Sequence, residues 1–313
     1  MGQVIALARW LLGQVPGMVR LAFDARAWKA GLQALRIPSL VIAGFSCGLG
    51  AALAWRDGKG DLLRSVLVLA AGVALQAGVN LINDFFEYRQ RRVDDKFAHL
   101  AMSTADRELV EWLILFAGLG CFGAAGLVGL YLAWRTGWPL LALGLIGFAG
   151  GYGYTGEPLS YKRRGLAVPL VFLLMGVLMV GGARYAVAGD LGSGTLALSL
   201  PVSCLVSLIL LANELRDYDS DTRYGIRTLA VRIGYRSATV LYFVLLGLAY
   251  AGPAALHFAG RWPRPLLVYL AIPLAVPPTV LVFRDSRRRK PIIPLVMLHH
   301  LAYGGLTVAA LFA

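Results

Sequence analysis

Long apolar runs with few charges restrict what this chain can fold into. Nine such runs, each of about twenty residues, are separated by short polar segments. They cover residues 38–56, 64–86, 108–134, 138–156, 166–186, 193–215, 237–258, 265–283 and 291–312. A helix that crosses a bilayer needs roughly 20 mostly apolar residues. The runs are about twice as long as barrel strands, and a spanning backbone must satisfy its own hydrogen bonds, so we interpret them as transmembrane helices.

The composition supports this interpretation. Of the 313 residues, 58% are hydrophobic and 15% are charged, whereas a soluble domain carries about 25% charged residues. The predicted fold class is therefore all-α, a polytopic membrane protein with about nine transmembrane helices around a central cavity, formed by residues 38–313. Residues 1–37 mix apolar side chains such as Trp10 and Phe23 with Arg9 and Arg20, which predicts an amphipathic segment on the membrane surface.

The positions of the basic residues predict the orientation in the membrane. With the N-terminus in the cytoplasm, 23 of the 30 Lys and Arg residues lie on the inside and 7 on the outside, as the positive-inside rule requires. This asymmetry accounts for most of the net charge of +13. Since the basic residues lie in short loops between spans, the sequence argues against a nucleic-acid partner.

Two acidic motifs begin at the cytoplasmic ends of the second and sixth predicted spans. The first reads NLINDFFE over residues 80–87 and continues to Asp94 and Asp95, and the second reads NELRDYDSD over residues 213–221. A single such motif is also typical of a helix end that enters water. Ionisable residues within membrane segments are costly and indicate functional sites, and two motifs at matching positions favour function.

The spacing within each motif predicts a shared helix face for one amide and two carboxylates. The first set is Asn80, Asp84 and Glu87. The second set is Asn213, Asp217 and Asp221. Opposed across a cavity, these oxygens suit Mg²⁺, which usually completes its coordination with substrate phosphate oxygens. Arg216 and Arg227 accompany the second motif, and Lys162 lies in the loop after the fourth predicted span. Such cations bind phosphate groups. The sequence thus predicts a phosphorylated substrate.

These segments resemble motifs of UbiA-type intramembrane prenyltransferases. Residues 213–234, NELRDYDSDTRYGIRTLAVRIG, are similar to the second motif of the branch that contains 1,4-dihydroxy-2-naphthoate polyprenyltransferase of menaquinone synthesis. Residues 80–95 resemble the first aspartate-rich motif. Residues 154–166, YTGEPLSYKRRGL, and residues 36–39 are similar to further segments of that branch.

The resemblance implies a prenyltransferase that transfers a prenyl group from a polyprenyl diphosphate to an aromatic or other small hydrophobic acceptor within the membrane and releases diphosphate. It implies two Mg²⁺ ions held by Asp84, Glu87, Asp217 and Asp221. It implies catalytic roles for Asn80, Asp84, Asn213, Asp217 and Asp221. It implies that the diphosphate is bound by Lys162, Arg216, Arg227 and Tyr154. The expected location is a bacterial or archaeal inner membrane, with the active site facing the cytoplasm.

Three departures from the family pattern leave alternatives open. Glu87 stands where Asp is usual, Ala167 and Val168 replace an expected Gly-Glu pair, and residues 96–99 lack a Gly-Pro-x-Arg pattern. The acceptor is then either an aromatic ring or a lipid alcohol, and a non-catalytic protein that binds prenyl lipids also fits. An ion-coupled transporter is disfavoured, because its carboxylates are expected near the membrane midplane rather than at one face.

Overall fold

The computed structural model describes residues 13–17, 19–90, 103–156, 158–260, 262 and 264–313, with the backbone alone for 87–90. Within these ranges every regular element is helical, which confirms the predicted all-α class. In chain order the helices are α1 (Ala25–Leu35), α2 (Ile37–Arg56), α3 (Leu62–Gln90), α4 (Thr104–Thr136), α5 (Trp138–Tyr152), α6 (Ala167–Ala188), α7 (Thr195–Arg216), α8 (Tyr218–Arg223), α9 (Leu229–Ile233), α10 (Tyr235–Phe258), α11 (Pro265–Val282) and α12 (Ile292–Phe312).

Among the described residues, eight helices are long and apolar enough to cross a membrane, namely α2, α3, α4, α6, α7, α10, α11 and α12. The remaining predicted span, 138–156, is shorter than expected. Its helix α5 has 15 residues and a length of about 22 Å, below the hydrocarbon thickness of about 30 Å. The chain leaves the helix at Gly153 and continues in turns through Thr155.

The predicted amphipathic segment is helical over residues 13–17 and 19–22 and contains α1. Asp24 caps this helix: its side chain accepts a hydrogen bond from the backbone N–H of Arg26. The side-chain hydrogen bond from the same arginine lowers the pKa of Asp24 to about 2. Ala30 and Ala34 are buried against the bundle, whereas Trp28 is exposed. Residues 1–12 and 18 lie outside the described part of the chain, and the boundary at residue 37 stays a prediction.

Helix α7 is the central helix of the bundle. It is the most buried of the spans and packs against α10, α12 and α6. Helix α6 contains a π-helical stretch, Phe172–Leu178, a widened form that often accompanies functional sites. Small residues allow the close packing: a Cβ on Gly50 of α2 would lie 2.3 Å from the carbonyl oxygen of Val180 in α6. The helices can therefore approach closely around a common core.

A buried arginine joins the ends of α2 and α6 that lie away from the acidic motifs. The side chain of Arg184 is 1% exposed. It donates to the carbonyl oxygen of Leu53 at 2.7 Å and pairs with Asp57 and with Asp190, the latter at 3.1 Å. Lys59 also pairs with Asp190. Because a buried guanidinium must be paired to be tolerated, this network ties two spans to the loop that follows α6.

Candidate active site

A cavity of about 740 Å³ lies among α2, α3, α5, α6, α7 and α12. Its polar side chains come from the end of α1, the start of α2, the second half of α3, the loop after α5 and the end of α7, so they meet at one end of the bundle. They are Gln33, Arg36, Ser39, Gln76, Asn80, Asn83, Tyr154, Tyr161, Lys162, Asn213, Arg216 and Asp217. Apolar side chains of α2, α3, α6, α7 and α12 complete the wall. This volume is typical of small-molecule sites.

The cavity brings together both acidic motifs and the loop after α5. Six of the predicted site residues line it: Asn80, Tyr154, Lys162, Asn213, Arg216 and Asp217. Asp84 and Asp221 are buried, at 2% and 8% exposure, and are not part of the wall. Arg227 is exposed and also lies outside the wall. The side chain of Glu87 lies outside the described part of the structure.

In the first motif, Asn80 connects α3 to the junction of α1 and α2. Its amide nitrogen donates to the carbonyl oxygen of Leu35 and to the hydroxyl of Ser39, both at 2.6 Å, and its oxygen accepts from Gln76 at 3.0 Å. Gln76 precedes Asn80 by one helical turn, and this spacing was the available signal for it in the sequence. Asn80 therefore positions the junction next to the cavity.

Arg36 lies at that junction and contacts the first motif directly. Its backbone is left-handed, with φ 50° and ψ 60°, which is uncommon for a non-glycine residue. With the Asn83 amide oriented to satisfy its neighbours, both terminal guanidinium nitrogens donate to its oxygen at 2.9 Å. The guanidinium also lies 4.0 Å from a carboxylate oxygen of Asp84. In the sequence, Arg36 differs from the other arginines of the predicted cytoplasmic side only by its place in the 36–39 resemblance.

The second motif spans a break between helices, which differs from the single helix face that was predicted. Helix α7 ends at Arg216, and Asp217 has φ −93° and ψ 4° before α8 begins. The backbone N–H of Asp217 still donates to the backbone carbonyl oxygen of Asn213 at 3.0 Å. The backbone N–H of Asp221 donates to the backbone carbonyl oxygen of Asp217 at 2.8 Å. The four-residue connections thus persist although the helix axis is interrupted.

Two predicted ligand-binding groups of this motif pair with each other. The guanidinium of Arg216 donates to both carboxylate oxygens of Asp217, at 2.8 and 2.6 Å. Glu214 points elsewhere: it is buried and accepts the backbone N–H of Ala230 at 2.9 Å, near the start of α9. A substrate that binds Arg216 must therefore replace Asp217 as its partner or bind beside it. Glu214 instead holds the segment that follows the motif.

The loop after α5 supplies an ammonium group and an aromatic ring. The Lys162 ammonium lies 5.6 Å from the centre of the Tyr154 ring, and Tyr161 packs edge-on against Tyr154 at 5.4 Å. Burial raises the pKa of Tyr161, so its hydroxyl stays protonated. Arg232 donates to the carbonyl oxygen of Arg163 at 3.1 Å, which ties this loop to the chain after the second motif.

The oxygen donors in the cavity wall and in the motif segments next to it fit a hard cation that shares its coordination with a substrate. In the described ranges, no three Asp, Glu, His or Cys side chains are close enough to form a metal cage. The motifs instead provide separate carboxylates, Asp84 on α3 and Asp217 and Asp221 after α7. Mg²⁺ is commonly held by one or two carboxylates together with water and substrate phosphates, so this donor set is chemically suitable for it.

Comparison with known proteins agrees with the helices and motifs. Residues 43–302, most of the chain, match the UbiA prenyltransferase family. The chain belongs to this family. This confirms the resemblance inferred from the two motifs, and identifies the UbiA-family protein as an integral membrane prenyltransferase.

Individual relatives and a solved structure extend the comparison. A 1,4-dihydroxy-2-naphthoate octaprenyltransferase from Mycobacterium tuberculosis is 32% identical over 269 residues, covering 86% of this chain and 90% of that protein. One of the same name from Bacillus subtilis is 28% identical over 229 residues, covering 73% and 74%. The structure of a UbiA homolog from Archaeoglobus fulgidus bound to GPP and Mg²⁺ matches with a TM-score of 0.57 at 16% identity, covering 89% and 99%. The last likeness supports the fold.

Proposed function

We propose that this UbiA-family protein transfers a prenyl group from a polyprenyl diphosphate to an aromatic acceptor of the 1,4-dihydroxy-2-naphthoate class and releases diphosphate. The observation that carries the proposal is the cavity that both acidic motifs share with Lys162. The relatives from M. tuberculosis and B. subtilis bear the name of this reaction, and the A. fulgidus homolog was solved with GPP and Mg²⁺.

The basic side chains of the cavity wall would bind the diphosphate. Lys162 provides a point charge, and Arg36 and Arg216 provide planar guanidinium groups that can contact two phosphate oxygens each. All three line the cavity. Arg227 is exposed outside the wall, so it would take part only if its side chain turned toward the diphosphate.

The carboxylates of the two motifs would hold the metal. We assign this role to Asp84, Asp217 and Asp221, with Glu87 as the fourth predicted ligand and Asn80 and Asn213 orienting the groups around them. When bound, Mg²⁺ would neutralise the negative charge that develops on the leaving diphosphate. The need for two ions is an expectation from the family resemblance.

The apolar part of the cavity would shelter the prenyl group. Side chains such as Leu174, Met175 and Met297 line it and would exclude water from the allylic cation that forms when the carbon–oxygen bond breaks. The Tyr154 ring would stabilise that cation through a cation–π contact. The acceptor would then bond to the allylic carbon and lose its proton. A long prenyl tail would continue between the helices into lipid.

Diphosphate release by the purified protein tests this function. We expect release from a polyprenyl diphosphate and the naphthoate acceptor to require Mg²⁺ and to be abolished by Asp217→Asn, Asp84→Ala or Asp221→Ala. Asp285→Asn, which alters an exposed carboxylate on the same predicted face, should leave it unchanged. Release only with a lipid alcohol would show that the acceptor is a lipid alcohol and not an aromatic ring. No release with any prenyl chain length or acceptor would contradict the proposed reaction and favour a protein that only binds prenyl lipids.

A further inference from the structure

A buried arginine outside the acidic motifs holds the second of them. Arg289 belongs to residues 284–290, a segment between α11 and α12 in which five of seven residues are basic. The side chain of Arg289 is 6% exposed, whereas its neighbours Arg287 and Arg288 are exposed. The positive-inside rule accounts for the charge of the segment but not for the burial of one member.

The guanidinium of Arg289 makes three contacts, all close to the second motif. One terminal nitrogen donates to the carbonyl oxygen of Leu215. The other donates to a carboxylate oxygen of Asp219 at 2.9 Å. Its central carbon lies 4.7 Å from the centre of the Tyr235 ring. The two hydrogen-bond partners precede and follow Asp217 by two residues each.

These contacts stabilise the break between α7 and α8. The last four carbonyl groups of a helix lack helical partners, and Leu215 carries one of them. A cation at a helix C-terminus is also favourable. Helix α8 has six residues and would be unstable alone, so the ion pair of Arg289 with Asp219 anchors it. Burying a guanidinium is costly, and the Nε of Arg289 has no hydrogen-bond partner among the described residues. The burial of Arg289 therefore indicates that it places its two partners rather than that it adds net stability.

We propose that Arg289 is a positioning residue for the second acidic motif: by holding Leu215 and Asp219, it sets where Asp217 and Asp221 lie relative to the cavity. Asp219 is then the structural partner of Arg289 rather than a ligand of the substrate or the metal. This inference rests on the proposed function, since it concerns the carboxylates assigned to that reaction.

Substitutions at the two ends of the ion pair test the proposal. A displacement of about 1 Å at a reacting centre can reduce the rate about 100-fold. We expect Arg289→Ala to lower diphosphate release by about that factor and to raise the Mg²⁺ concentration needed for half-maximal activity. Arg289→Lys should restore part of the activity, because it keeps the charge but loses the two-pronged contact. Arg288→Ala, the matched change at the exposed neighbour, should behave as wild type.

Asp219→Asn separates positioning from a general loss of folding. The Asp219 side chain is 52% exposed, so this variant should melt at the wild-type temperature and still show reduced release and a raised Mg²⁺ requirement. Arg289→Ala combined with Asp219→Ala should be no worse than Arg289→Ala alone, because both changes remove one shared interaction. A folded Asp219→Asn protein with wild-type release and Mg²⁺ requirement would overturn the proposal, as would fully additive losses in the double variant.

A binding measurement keeps this inference distinct from the proposed reaction. The probe is the rise in melting temperature that Mg²⁺ and inorganic diphosphate together cause. If wild-type protein releases no diphosphate yet shows this rise, the reaction is wrong, and a smaller rise in Arg289→Ala and Asp219→Asn than in Arg288→Ala supports positioning. An equal rise in all variants contradicts positioning. If the wild type shows neither release nor a rise, both proposals fail.

Discussion

Arg36 combines an uncommon backbone conformation with direct contacts to the first acidic motif. Its positive φ turns the chain from α1 into α2 and directs the guanidinium toward Asn83 and Asp84. A non-glycine residue in this conformation costs about 1 kcal/mol or more. The contacts that follow from this turn explain why an arginine is useful at this position.

We expect Arg36→Ala to lower kcat/KM for the prenyl diphosphate by about 10- to 100-fold, because a hydrogen bond to a charged group contributes roughly 1.5–3 kcal/mol. Arg36→Gly should be equally impaired although it relieves the backbone, since the guanidinium is lost in both. Arg26→Ala changes an exposed arginine of α1 and serves as the control. Steady-state kinetics measure the effect. Recovery of full activity in Arg36→Gly would show that only the backbone matters.

At the scale of helices, the ends carry the polar chemistry and the bodies carry the packing. The cavity-lining residues of α2 begin at its first turn, and those of α7 continue to its end. The opposite end of α2 instead joins α6 through Arg184. Helix α2 therefore has one end at the site and the other in a network that holds it to α6.

The Arg184 network should make the stability of these helix ends depend on pH. Burial opposes ionisation of Asp57, but hydrogen bonds from Arg56 and Arg184 outweigh it, so the pKa of Asp57 is lowered. Hydrogen bonds from Lys59 and Arg184 lower the pKa of Asp190. Because folding lowers both pKa values, the stabilisation is complete above the unfolded value of about 4 and is lost as pH falls through the folded values.

We therefore expect Arg184→Met to reduce the melting temperature at neutral pH, by the equivalent of roughly 1.5–3 kcal/mol for lost hydrogen bonds to charged groups. The difference from wild type should narrow as the pH falls below about 4, where the carboxylates lose their charge. Melting curves of both proteins across the acidic range, in a detergent stable to acid, measure this. A difference that is independent of pH would show that Arg184 acts through packing alone.

At the scale of the whole molecule, the orientation in the membrane stays a prediction from charge. Exposed positions outside the site can report it in a cysteine-free background. We expect a cysteine at Arg288, between α11 and α12, to react only from the cytoplasmic side, and one at Ser193, between α6 and α7, only from the outer side. Labelling of intact cells with a membrane-impermeant thiol reagent distinguishes them. The reverse pattern would place the active site on the outer face.

The short helix α5 and the break at Asp217 limit what periodicity alone can predict. Hydropathy averages over a window, so it registered an apolar run at 138–156 but not the exit of the chain at Gly153. Helical spacing likewise assigned Asn213, Asp217 and Asp221 to one face without indicating the break between them. In both cases a few backbone angles change the outcome, and these depend on neighbouring segments.

The sequence by itself determined that this protein is an all-helical membrane protein of the UbiA family with two acidic motifs, because hydropathy, charge asymmetry and motif spacing are local properties of the chain. Only the tertiary structure decided which basic residues reach those motifs. Arg36 and Arg289 are distant in sequence from the groups they contact. Each is one of many arginines on the predicted cytoplasmic side. Their contacts arise from helix packing, which brings together segments whose separation along the chain carries no signal of proximity.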